Sequence, residues 1–110
     1  MPTINIFFDD NEIQSQLSEL TSQLKEYVAQ QLTCGDIELN SDEVSVRLLK
    51  NSGKGMLAPI ELEISAAAFK ERVDRQDEIC LDVQKFLLDK LSVPDIKVWL
   101  ILSELGHSWK

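Results

Sequence analysis

The stretch TINIFFDDNEIQSQLSELTSQLKEYVAQQLTCG (Thr3–Gly35) decides the fold. Its opening, TINIFF (Thr3–Phe8), is β-branched and aromatic, and alternation puts Ile4, Ile6 and Phe8 on one face of a strand. Pro2 stands just before that strand, where a missing N–H costs the ladder little. The acidic DDNE (Asp9–Glu12) supplies N-cap candidates and negative charge for the first turn of a helix. Ile13, Leu17, Leu20, Leu24, Tyr27, Val28 and Leu32 then recur at steps of three and four, marking one apolar face. Gly35 is placed to end the helix in a left-handed cap. EVSVRLL (Glu43–Leu49) reads as the strand that follows, completing a β-α-β unit.

The rest of the chain repeats the plan. After the polar loop NSGKG (Asn51–Gly55), PIELEIS (Pro59–Ser65) alternates, with Ile60, Leu62 and Ile64 on one side and Glu61 and Glu63 on the other. A second helix is expected over Glu71–Leu91, with Ile79, Val83, Phe86, Leu87 and Leu91 as its buried stripe and Pro94 behind its end. IKVWLIL (Ile96–Leu102) reads as an apolar strand buried on both faces. INIFF matches IELEI in kind, LKEYVAQQLT matches VQKFLLDKLS, and VSVRLL matches IKVWLI, all in the same order. One domain over 1–110, made of two pseudo-repeats at about 1–52 and 57–110, follows.

The expected fold is α+β: a duplicated β-α-β with a four-stranded mixed sheet and both helices on one face. The other sheet face is left bare, carrying Phe7, Leu49, Trp99 and Ile101 beside Asn5, Arg47, Glu61, Glu63 and Lys97. Large apolar groups on such a face point to an interface between copies. A ferredoxin-like domain shares the same element order but interleaves its two units in the sheet, so sheet order separates the two readings.

Composition narrows the function. Eleven Lys and Arg against nineteen Asp and Glu leave a net charge of −8, which argues against a phosphate backbone or an anionic membrane as partner. No apolar run approaches the ~20 residues that span a bilayer, and no basic-then-apolar leader opens the chain, so a cytoplasmic location is expected. Cys34 and Cys80 are isolated and read as free thiols of a reducing compartment. His107, the lone histidine, has no ligand cluster around it, so neither a metal nor another cofactor is expected. SGKG (Ser52–Gly55) lacks the length of a phosphate loop and reads as a turn.

Met1-Pro2 running straight into a strand, the duplicated β-α-β layout and the closing FLLDKLSVPDIKVWLILSELGHSW (Phe86–Trp109) together resemble the tautomerase superfamily, in its long-subunit, macrophage migration inhibitory factor-like form. The resemblance implies a homotrimer with three sheets around a central channel and helices outward. It implies that Pro2, exposed when Met1 is removed, is the catalytic base for a small enolisable carbonyl compound. A secondary amine in an apolar pocket is a neutral base near neutral pH, taking a proton beside a carbonyl and returning it elsewhere.

The same resemblance puts a lysine just after the first helix, where this chain has Thr33 and Cys34. It puts a pocket tyrosine at Trp99 and an asparagine at Ile101, both replaced by more apolar groups, and a main-chain donor near Ser65. Arg47, Lys50 and Lys97 are the candidate replacement cations, while the sheet itself offers Arg47 a partner in Glu61 or Glu63. The substrate-binding set is therefore Arg47, Lys50, Ser65, Trp99 and Ile101 around Pro2. A catalytically inactive trimer that binds a ligand or serves as a scaffold is the alternative, motivated by the missing lysine and by Trp99 and Ile101.

Overall fold

The computed structural model describes residues 2–35, 38–51 and 55–103. Met1, most of the SGKG turn, and the tail with Gly106, His107 and Trp109 lie outside the described residues. The elements are β1 (Thr3–Phe8), α1 (Asn11–Leu32), β2 (Ser45–Lys50), β3 (Ile60–Ala67), α2 (Lys70–Asp74), α3 (Gln76–Lys90) and β4 (Ile96–Ser103).

The sheet runs β2-β1-β3-β4. β1 is parallel to β2, β3 is parallel to β4, and the two pairs meet antiparallel at β1 and β3. Each helix thus returns the chain to a parallel neighbour, and the two β-α-β units lie side by side. That order excludes the interleaved ferredoxin-like arrangement and matches the expected mixed sheet.

One face of the sheet is buried and one is open. Ile4, Ile6, Phe8, Ile60, Leu62, Ile64, Ile96 and Leu100 join Leu17, Leu24, Val28 and Leu32 of α1 and Ile79, Val83 and Leu87 of α3 in a single core. Both helices therefore pack on the same side. Tyr27 and Phe86 stack at 4.4 Å between the helices. The predicted apolar stripes hold at nearly every position.

Four expectations need correction. The second helix is two: Arg75 leaves helical geometry at φ −106 and ψ 13, its amide bonding Glu71 O and Val73 O. Its side chain is drawn aside onto Gln31 and Glu78. Gly35 has the expected positive φ of 53 but does not cap α1. The helix stops at Thr33, which turns extended while its hydroxyl donates back to Ala29 O. β2 starts at Ser45, because Ser41–Glu43 forms a 3-10 turn in which the Glu43 carboxylate accepts the Asn40 N–H. β4 is buried on one face only. It is an edge strand, the helices cover a single side, and Trp99 and Ile101 are 41% and 48% exposed.

Candidate functional site

Pro2 is buried at the entrance to β1, and its carbonyl accepts the Ser45 N–H at 3.2 Å. Because β1 lies inside the sheet, Pro2 is flanked by β2 and β3 together. Register carries the open face outward from it in rows. The first is Ser45–Thr3–Ser65–Ile101, the second Arg47–Asn5–Glu63–Trp99, and the third Leu49–Phe7–Glu61–Lys97.

These rows sort the candidate residues. Ser65 and Ile101 stand in the row next to Pro2. Arg47 and Trp99 share the second row but occupy opposite edge strands, about 14 Å apart by strand spacing. Lys50 is five residues beyond Ser45, about 17 Å along β2, with Nζ on Asn11 Oδ1 at 2.8 Å. Ser65 thus lies one strand from the Pro2 end of β1 and Ile101 two strands from it, while Lys50 stands at the far end of the sheet. Lys97 pairs with Asp95 at 3.4 Å.

Arg47 has no carboxylate neighbour in the sheet. β1 lies between β2 and β3, so Asn5 separates it from Glu63, which corrects the expected cross-strand pair. Glu61 instead accepts the Leu57 and Ala58 N–H groups and closes the turn ahead of β3. Asn5 Oδ1 is buried without a hydrogen-bond partner among the described residues.

Sequence reasoning missed Arg72. It is 3% exposed. Its Nε donates to Leu32 O at 2.9 Å and its Nη1 to Ala67 O at 3.0 Å, with the guanidinium 4.8 Å over the Phe69 ring. Arg75 adds weaker bonds to the Gln31 carbonyl and side chain. α1 has no basic residue in its own last turn, so these two arginines of the second repeat answer its terminal carbonyls and dipole. The position just past α1 holds a half-buried Thr33 and a buried Cys34; the cation arrives there from α2. In sequence, Arg72 sits in the charged run KERVDRQDE (Lys70–Glu78), which carries no sign of burial.

Cys34 and Cys80 are free. Burial pushes the Cys80 thiol above its ordinary range, the Leu100 amide draws it partly back, and the Asp77 charge pushes it up again. Among the described residues no group of three or more His, Cys, Asp or Glu side chains is placed to hold a metal. A cleft of about 500 Å³ opens at the other end of the sheet from Pro2, between Asp9, Asp10 and Ile13 and the loops bearing Met56, Leu57, Val93 and Pro94. Among the described residues no helix is long and apolar enough to cross a membrane.

No protein-family model matches the chain, and no curated protein matches it in sequence. Solved structures do match its fold. A structure described as "Q0 fused 4-OT wild type symmetric trimer" is similar at TM-score 0.62 and 11% identity, over 93% of this chain and 85% of that one. The macrophage migration inhibitory factor of Trichinella spiralis matches at TM-score 0.56 and 12% identity, over 98% and 94%. Pt0534, inactivated by 2-oxo-3-pentynoate, matches at TM-score 0.55 and 17% identity, over 94% and 85%. The chain has the tautomerase-superfamily fold. Within that fold Pro2 opens an interior strand, Ser65 stands on the adjoining β3 with Ile101 one strand further on, and Arg72 closes the same end of the sheet from behind.

Proposed function

We propose that this protein is a tautomerase or isomerase of a small enolisable carbonyl compound, with Pro2, freed of Met1, as general base. The observation that carries the reading is the seat of Pro2: buried, ahead of an interior strand, with its carbonyl held by the Ser45 amide. A nitrogen fixed there is shielded from water, which disfavours its protonated form and leaves it a base. It takes a proton from the carbon next to the carbonyl and returns it at the oxygen or along the conjugated system. In this reading main-chain donors beside Ser65 and the cation of Arg47 stabilise the enolate.

The working unit is a homotrimer in this reading. Leu49, Trp99 and Ile101 are each more than a third exposed on the open face, which a neighbouring copy would cover. Two of the matched tautomerase-fold structures are described as symmetric trimers. Trp99, at one sheet edge, and Arg47, at the other, then meet at a junction between copies, and Lys50 joins a pocket only from a neighbour. Two unbridged cysteines fit a reducing, cytoplasmic setting.

The test is the intact mass of the natural protein together with turnover of a panel of small enols, phenylpyruvate enol among them. The reading expects loss of Met1 and ketonisation well above the buffer rate. Retention of Met1 throughout the sample, or a mature protein that turns over none of the panel, contradicts it; in the second case a non-catalytic scaffold takes its place.

A further inference from the structure

The buried guanidinium of Arg72 has a role toward Pro2 as well as toward α1. Thr3 faces Ser65 across the β1–β3 ladder, so Pro2 falls opposite Ala66, and Arg72 Nη1 binds the carbonyl of the next residue, Ala67, at 3.0 Å. A residue step of about 3.3 Å and a strand spacing of about 4.8 Å put the guanidinium within about 10 Å of Pro2. Its hydrogen bonds among the described residues go to two neutral carbonyls, and it makes no ion pair with a described carboxylate. A charge this deeply buried is screened far less by salt than one at the surface.

The other charges at this end are not buried: Glu43, half-buried just ahead of β2, accepts the Asn40 N–H. Glu71, exposed, accepts the Gly35 N–H; Asp74 pairs with Lys70; Arg75 pairs with Glu78. Arg47 and Glu63 lie on the open face in the second row from Pro2, and Cys34 is a buried thiol just past α1. Arg72 is thus the buried net charge on the helix side of Pro2 among the described residues.

We propose that Arg72 is a positioning residue for the Pro2 base: its buried positive charge opposes protonation of the amine and keeps it in the neutral, proton-accepting form. The inference rests on the reading of Pro2 as a free amine. One unit charge at this range shifts an amine by on the order of one pH unit at the effective dielectric of a protein.

The experiment is a ¹⁵N-proline NMR titration of the mature chain beginning at Pro2, prepared with methionine aminopeptidase, in wild type, Arg72→Gln, Arg72→Met and Arg72→Lys. The two neutral variants are expected to raise the pKa of the Pro2 amine by about one unit, with the acid limb of the kcat/KM profile moving alike, while Arg72→Lys stays near wild type. A purely structural Arg72 would lower stability and leave that pKa in place; an unmoved pKa in a folded neutral variant overturns the proposal. A wild-type amine that titrates at or above that of the urea-unfolded chain likewise overturns the proposal. Enol turnover is scored separately. A wild-type amine lowered by Arg72 that turns over no enol fails the isomerase reading and leaves the Arg72 proposal standing.

Discussion

The Ser45 amide donates to the Pro2 carbonyl across 3.2 Å, so the residue that opens β1 is pinned to β2 before the ladder begins. That bond holds the proline where three strands can reach it. Ser45→Pro deletes the donor and leaves a buried acceptor unpaired, at a cost of about 1–3 kcal/mol. Urea unfolding should show that loss. The isomerase account adds that kcat/KM falls in the variant even where the protein is still fully folded.

The two sheet faces should respond in opposite ways to truncation. Ile64 is fully buried under both helices, and Ile64→Ala should cost about 2–5 kcal/mol through the cavity it leaves. Trp99 is 41% exposed on the open face, so Trp99→Ala should change the stability of a single chain by far less. Its effect is expected on assembly. If the protein is the homotrimer proposed above, light scattering should show it giving way to smaller species in Trp99→Ala and persisting in Ile64→Ala under conditions where that variant remains folded.

α3 seals the free edge of β4 with side chains. The Ser103 carbonyl accepts from Ala68 on the β3 side, so alternation turns the Ile96 and Leu100 carbonyls outward. Gln84 Nε2 donates to Ile96 O at 2.8 Å and Gln76 Nε2 to Leu100 O at 2.7 Å. Gln76→Ala and Gln84→Ala should each cost about 1 kcal/mol, and the costs should add because the sites are two helical turns apart. The double variant exposes an unpaired strand edge, so it should also aggregate faster on warming.

Alkali should weaken the fold. The Cys80 thiol is held above its ordinary 9.0, chiefly by burial, and the Tyr27 phenol above 10.0 by burial and then by the charge of Asp82. Both groups keep their protons longer in the folded chain than in the unfolded one. Their stabilisation is fully present below about pH 9 and is lost as pH rises through the raised folded values. Urea midpoints taken from pH 8 upward should fall, and Tyr27→Phe with Cys80→Ala should flatten the decline.

The strands and α1 were legible in the sequence because alternation and the three-four spacing are local signals: Ile4, Ile6 and Phe8, or Leu17, Leu24 and Val28, declare their own faces. How the two β-α-β units pair was not legible, because the same element order also fits an interleaved sheet and only the observed strand order separates the two. The break at Arg75 was not legible either, since the run from Glu71 to Leu91 holds no Gly or Pro to mark it; at the break the Arg75 side chain turns onto Gln31 and Glu78. Arg72 was hidden for a similar reason. Its burial depends on the end of α1, forty positions earlier, and a charged run gives no sign of such a partner. Arg47 was given a neighbour by pattern alone, and only the strand order shows β1 standing between. Pro2 was marked by its place before a strand, whereas the Ser45 bond that fixes it belongs to the ladder.

The central claim is that the Pro2 nitrogen performs the proton transfer. The most direct measurement compares the mature wild type with Pro2→Ala, both shown by mass to begin at residue 2, in the ketonisation of phenylpyruvate enol at neutral pH. The account predicts that kcat/KM falls by at least about 100-fold, the contribution of a positioned general base, while the fold and the trimer persist. Equal turnover by the two proteins would contradict it.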